Sequence, residues 1–322
     1  MKATVISQLG GPEVMEWLDV PDPEPGPGQI LVGVDAAGVN FMDTYQRTGL
    51  YQVELPFTPG SEGAGQIIAV GRDVHDLHVG DRVAWCDQRG TYADQVLIKA
   101  ARAVPIPAGI SSQMAAASLL QGATAHYLTR DTFRLEPGHR CLIHAAAGGV
   151  GRLLVQMAKR AGAEVIATAG GSDKVELAKS AGADHVIDYR AVDFGDEVER
   201  LVGAKAIDVV YDGVGRATFE RGLTLLRPRG LMATYGNASG PVDPIAPLRL
   251  SQLGSLFLTR PGLAHHVATT QELRRRGSEV FDLVGRGDLE VRIGLRLPMT
   301  DAAEAHRRLE SRSTTGKVLL EP

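Results

Sequence analysis

Apolar and polar positions follow two different rhythms along this chain. Through residues 1–120, glycine and proline punctuate short apolar runs at 30–34, 65–70, 81–84 and 92–98. Short β-prone runs divided by turn residues are the grammar of an antiparallel, turn-rich domain. Pro21, Pro23, Pro25 and Pro27 make an extended entry segment, because proline lacks the amide N–H a helix interior needs. Over 111–127 the pattern turns alanine-rich and helical, which predicts a bridge into a second domain. From 140 to 259, candidate strands at 141–145, 164–168, 185–189, 207–211, 230–235 and 255–259 alternate with helical stretches such as 150–161, 173–180, 194–202 and 216–226. Strands joined by helical crossovers predict a parallel sheet covered on both faces, the doubly wound arrangement. Residues 263–322 read as a helix at 271–284, a strand near 290–295, a short helix at 301–309 and a last strand at 316–320. A completed sheet has no room for that tail, so it is expected to return and pack on the first domain.

The first strand-turn-helix of the alternating region carries the clearest chemistry. An apolar run from Cys141 to Ile143 leads through Ala145, Ala146, Ala147 and Gly148 into a stretch where Val150, Leu153, Leu154, Met157, Ala158 and Ala161 recur at helical spacing. Small residues let the backbone approach a ligand. The helix start aims free N–H groups and the positive dipole end at it, a site for a pyrophosphate. Alone, such a turn is equally a tight connection with no ligand; the strand-helix alternation around it favours a dinucleotide. In dinucleotide sites an acid about 20 positions on, ending the second strand, commonly holds the ribose 2′-hydroxyl. Here that strand ends in Ala169, Gly170 and Gly171, followed by Ser172 and Lys174, a hydroxyl and an ammonium suited to a 2′-phosphate. Lys174 taken singly reads as a solvated helix residue, and Asp173 could face a ribose, but the missing acid and present base together predict NADPH rather than NADH.

Composition narrows the classes. Hydrophobic residues are 44% and charged residues 22% of 322, ordinary for a globular chain long enough for two domains. A net charge of −4 with dispersed Lys and Arg leaves no electrostatic footprint for nucleic acid or an anionic membrane. Residues 1–8 lack the apolar core of a signal peptide, and no stretch approaches the ~20 apolar residues of a membrane span. Two cysteines, Cys86 and Cys141, fit a reducing compartment, so a cytoplasmic protein is expected. No set of four closely spaced Cys/His ligands exists, His75 and His78 read as surface residues, and His144 as a hydrogen-bonded core residue; no metal is expected.

Segments from end to end carry a family resemblance: 38–45 (GVNFMDTY), 47–51 (RTGLY), 59–65 (PGSEGAG), 79–83 (VGDRV), 145–151 (AAAGGVG), 211–215 (YDGVG), 235–237 (YGN), 259–261 and 310–317 (ESRSTTGK). In order and spacing they resemble the zeta-crystallin-type quinone oxidoreductases of the medium-chain dehydrogenase/reductase superfamily. The resemblance implies an α/β protein with a GroES-like (chaperonin-10-like), β-rich catalytic domain from 1–122 and 265–322. A Rossmann dinucleotide-binding domain, 123–264, would be inserted between. Zinc-dependent relatives carry Gly-His-Glu where this chain has Gly60, Ser61 and Glu62, which implies zinc-independent chemistry. By matching positions, Gly148, Gly149 and Val150 would take the pyrophosphate. Ser172, Lys174, Tyr189 and Arg312 would surround the 2′-phosphate, and Asn40, Thr124, Tyr235, Gly236 and Thr259 would line the nicotinamide half. Asn40, Tyr45 and Tyr51 are the candidate catalytic donors, although an Asn at a turn usually caps backbone and a Tyr on an apolar element usually packs.

The implied reaction is NADPH-dependent reduction of a quinone, with nicotinamide and acceptor stacked in the cleft between domains. Such chemistry asks for positioning and for donors where negative charge grows on the acceptor oxygen. Reduction of an α,β-unsaturated ketone or aldehyde is the nearest alternative. A nucleotide-sensing or RNA-binding role is a third, disfavoured by the absence of a basic stripe. The family is usually dimeric through the last strand of the nucleotide-domain sheet, here 255–259 with Leu256 and Leu258, so a homodimer is expected.

Overall fold

The computed structural model describes every residue from Met1 to Pro322. Two compact units divide the chain, Met1–Ala123 with His266–Pro322, and Thr124–His265. No helix is long and apolar enough to cross a membrane.

The first unit is built on the strand Gln29–Val39. Glu62–Val70 and Gln95–Lys99 pair with it antiparallel, and so does Lys317–Glu321 from the returning tail. The strand runs past the apolar 30–34 because Ala36, Ala37 and Val39 are also buried, a continuation that Asp35 and Gly38 mask in the sequence. Ile30, Val32 and Val34 share one core with Trp85, Tyr92, Met299, Val318 and Leu320. Each such large side chain removed from water contributes roughly 1.5–3 kcal/mol. The sheet departs from the antiparallel expectation at one edge: Ile293–Pro298 pairs parallel with Lys317–Glu321. The Ala302–Glu310 helix makes that possible, since parallel neighbours need a crossover. Two local elements were not expected: a hairpin of Lys2–Ile6 with Met15–Asp19, and the short helix Phe41–Arg47.

In the second unit the strands His185–Asp188, Glu164–Ala169, Arg140–Ile143, Ile207–Asp212, Leu226–Thr234 and Phe257–Thr259 lie side by side in that order. Every neighbour is parallel. The order reverses between Arg140–Ile143 and Ile207–Asp212, which puts the ligand crevice of such a sheet at their carboxyl ends. Leu142, Ile166, Val210, Phe219, Leu223 and Met232 form the core beneath. Elements start late where the chain must first turn. Ser255 takes a left-handed φ of 54° and Gly254 one of 120°, so the last strand begins at Phe257. The expected helix at 216–226 shrinks to Phe219–Leu225, because Thr218 is not helical and its hydroxyl donates to Asp212.

Candidate functional site

Leaving Arg140–Ile143, the chain turns at Ala145, whose φ is 53°, and the Gly148 N–H closes the turn on the Ala145 carbonyl at 2.9 Å. The Gly149–Arg160 helix then starts from an extended Gly148 with no side chain capping it. Its first N–H groups therefore point outward as donors, with the dipole behind them. Gly151 makes the approach possible, since a Cβ there would lie 2.3 Å from the Ala145 oxygen. Gly148, Gly149 and Val150 are half-buried at this helix start. Just before the turn, His144 is buried with Nδ1 2.9 Å from the Thr168 hydroxyl, and burial holds its imidazole below the usual range.

The end of Glu164–Ala169 has the shape a phosphate cradle needs. A Cβ at Gly170 would sit 2.5 Å from the Tyr189 hydroxyl, so the glycine lets that ring lie across the strand end. Gly171 follows at φ 90°, and the Ser172–Ser180 helix begins with Ser172 exposed and Lys174 half-buried. The Arg190 guanidinium reaches the same corner, 3.3 Å from where a Gly171 Cβ would be. Sequence reasoning passed over Arg190; a base directly beside Tyr189, past the third strand, was the available signal. The nearby carboxylate is Asp188. Its Oδ1 accepts from the N–H groups of Gly171 and Arg190, both at 3.0 Å, which lowers its pKa.

At the carboxyl ends of the next strands, Tyr235 and Gly236 meet Gly213. The Tyr235 N–H donates to Asp212 O at 2.8 Å, and a Gly236 Cβ would come within 2.3 Å of Gly213 O. Asp212 ties this corner together by accepting from Val214 N, Gly215 N and Thr218 Oγ1. Arg260 donates to the carbonyls of Thr234 and Gly236 beside a half-buried Thr259. Thr124 is buried on the Ser112–Tyr127 helix. Arg312 belongs to the first unit, exposed and at φ 58° in the turn before Lys317–Glu321.

In the first unit the site residues grow out of a buried polar network. Asn40 Oδ1 accepts from the Lys317 ammonium at 2.9 Å, while Nδ2 donates to Gly38 O at 3.2 Å and Glu62 Oε2 at 3.1 Å. Both amide hydrogens are thereby committed within the protein. The Asn40 amide is thus a group held in place by its neighbours. Glu62 also bonds Lys317 directly and accepts from the Leu120 N–H at 2.8 Å. Asp43 accepts from Asn40 N, the Ser61 hydroxyl and the Tyr92 hydroxyl. Burial nonetheless raises its pKa to about 6. Beyond Tyr92 lies His306, pushed down to about 3 by burial and by Arg47, whose guanidinium pairs with Glu310. Tyr45 and Tyr51 are half-buried and meet edge to face, centroids 5.2 Å apart, with the Tyr51 N–H on Tyr45 O. Ser61, at the histidine position of zinc-dependent relatives, is one of the hydroxyls on Asp43. No group of three or more His, Cys, Asp or Glu is arranged to hold a metal ion.

Comparison with known proteins agrees with this architecture. Residues 26–108 match the alcohol dehydrogenase GroES-like domain, and 149–273 match the family described as zinc-binding dehydrogenase. The pairing of a GroES-like fold with a doubly wound sheet defines the medium-chain dehydrogenase/reductase class of enzymes. A quinone oxidoreductase of Pseudomonas aeruginosa is 43% identical over 100% of this chain and 99% of its own length. The crystal structure of Escherichia coli quinone oxidoreductase complexed with NADPH superposes with a TM-score of 0.98 at 41% identity, covering 100% of both chains. A 2-haloacrylate reductase of a Burkholderia species is 39% identical over 99% of this chain and 98% of its own. The chain belongs to the quinone oxidoreductase family of this class.

Proposed function

We propose that this enzyme uses NADPH to reduce quinones, nicotinamide and acceptor stacked face to face. The observation that carries the cofactor assignment is the corner after Ala169. Tyr189 and Arg190 lie against Gly170 and Gly171 there, beside Ser172 and Lys174 in the chain, and Asp188 Oδ1 accepts from backbone. A 2′-phosphate finds donors in that corner, while the exposed Asp173 accepts from the Ser172 hydroxyl. Gly148, Gly149 and Val150 offer backbone N–H groups to the pyrophosphate, at a turn that Gly151 keeps clear. Thr124, Tyr235, Gly236 and Thr259 line the nicotinamide half. When bound, the reduced nicotinamide would supply the reducing equivalents for the quinone. Tyr45 and Tyr51 hold hydroxyl donors for the acceptor oxygen where negative charge develops.

A second reading, reduction of an activated alkene such as an enone, is favoured by the likeness to the 2-haloacrylate reductase. Consumption of NADPH with a benzoquinone and with a cyclic enone, measured side by side, separates the two. Turnover at least tenfold faster on the enone would replace the quinone reading. The same functional picture has a cytoplasmic homodimer joined along the sheet edge at Phe257–Thr259, where Phe257 is 60% exposed. Light scattering at a monomer mass would remove that part.

A further inference from the structure

We propose that Lys317, through its buried pair with Glu62, is a positioning residue for the acceptor site. It holds Asn40, and with it the start of the helix that presents Tyr45. The inference deepens the functional reading above and rests on Tyr45 and Tyr51 facing the acceptor.

Three neighbouring strands build the pair. Gln29–Val39 lies between Lys317–Glu321 on one side and Glu62–Val70 on the other. Lys317 and Glu62 thus converge over the end of the central strand, immediately before Asn40. Gly38 is what lets them meet. A Cβ there would lie 2.4 Å from Glu62 Oε2, 2.6 Å from Lys317 Cε and 2.7 Å from Lys317 Nζ. Both charged side chains are 0% exposed. A buried ion pair is a poor device for stability, because desolvating two charges offsets most of their attraction. What this pair does have is geometry. The ammonium donates to Asn40 Oδ1, the carboxylate accepts from Asn40 Nδ2, and the other carboxylate oxygen accepts from Leu120 N. The Asn40 amide can therefore sit in one orientation only. From Asn40 the Phe41–Arg47 helix begins, Phe41 packs on Tyr45 at 6.1 Å, and Tyr45 packs on Tyr51 at 5.2 Å. A shift at Asn40 is passed through the first five residues of the helix to Tyr45, and from the Tyr45 carbonyl to the Tyr51 N–H.

The test uses the full chain and the double variant Lys317→Met with Glu62→Gln, which removes both charges without stranding either. The expected result is a kcat/KM for a benzoquinone lowered about tenfold to hundredfold, as misplacement of reacting groups does, with the Kd for NADPH changed less than about twofold. Lys317→Arg should recover most of the loss. A double variant with parental kcat/KM, or one whose NADPH affinity falls as far as its kcat/KM, overturns the proposal. Should the double variant not fold, Glu62→Gln alone decides. It breaks the ion pair while keeping the side-chain shape, and must show the same acceptor-selective loss; parental kinetics overturn the idea. A parent enzyme that consumes NADPH with no quinone defeats the functional reading instead. Hydrogen exchange then judges Lys317 by itself: faster exchange across Phe41–Arg47 in the double variant supports the positioning role, and unchanged exchange overturns it.

Discussion

Around Asn40 the first unit sets side chain against side chain: Glu62 with Lys317, Asp43 with Ser61 and Tyr92, His306 with Arg47. At 148–151 and 236 the second unit presents bare backbone, with Gly151 and Gly236 where a Cβ would lie 2.3 Å from a carbonyl oxygen. Both corners are preorganised, but they fail differently. In the network Glu62, Lys317, Asp43 and Asn40 rely on one another as buried partners, so deleting one leaves a charge or donor stranded out of water. In the nucleotide corner nothing is stranded by a substitution; the issue is room, and whether an anion can still reach the N–H groups. The contrast predicts that single changes in the first unit act on stability and those in the second act on cofactor.

Four measurements sharpen or break that contrast, taken from the largest effect down. Lys317→Met alone leaves Glu62 buried and unpaired, and should lower unfolding free energy by about 3–5 kcal/mol in urea titration. A loss below about 1 kcal/mol would mean water reaches the network. Asp43 comes next. Burial pushes its carboxyl up to about 6 from the usual 3.8, so the folded state binds more protons between those pH values. Its contribution to stability is present in full below pH 3.8 and is lost as pH rises through 6, by up to about 3 kcal/mol. Asp43→Asn should remove that slope, read as a parent-minus-variant difference in Tm that narrows between pH 4 and 6.5. A parallel pair of curves would show that Asp43 titrates normally.

In the second unit, Gly151→Ala forces a methyl against the Ala145 carbonyl and should cost about 1–3 kcal/mol, with weaker NADPH binding by fluorescence titration. Unchanged binding would separate the turn from the pyrophosphate. Smallest in stability, and the sharpest contrast with Lys317, is Lys174→Ala. It should leave Tm unchanged yet raise the KM for NADPH about tenfold, equivalent to roughly 1.4 kcal/mol, with little effect on NADH. Equal effects on the two cofactors would end the 2′-phosphate assignment.

How much of this was legible in the chain depended on distance along it. The parallel sheet and the Gly149–Arg160 helix could be read because strand and helix each write their period into a few consecutive residues. Phe41–Arg47 escaped because seven residues carry too few turns to show a period. Arg190 escaped because its relevance comes from a parallel neighbour: Asp188 pairs with Ala169, and that pairing brings the residues beyond it to Gly171. The partners that take up the Asn40 amide, Glu62 and Lys317, could not be read beside it, since they lie far off in sequence.

The sequence by itself determined the alternation of strand and helix, the glycine turn, the acid-free end of the second strand and the serine at position 61, because each is a property of local composition. Only the tertiary structure decided that Lys317 returns across the sheet to Glu62, that Asp43 is buried among hydroxyls, and that Asp188 accepts from the backbone N–H of Gly171. Those facts depend on which strands become neighbours. Strand pairing is settled by burying the whole apolar surface at once, so no single stretch of chain records it.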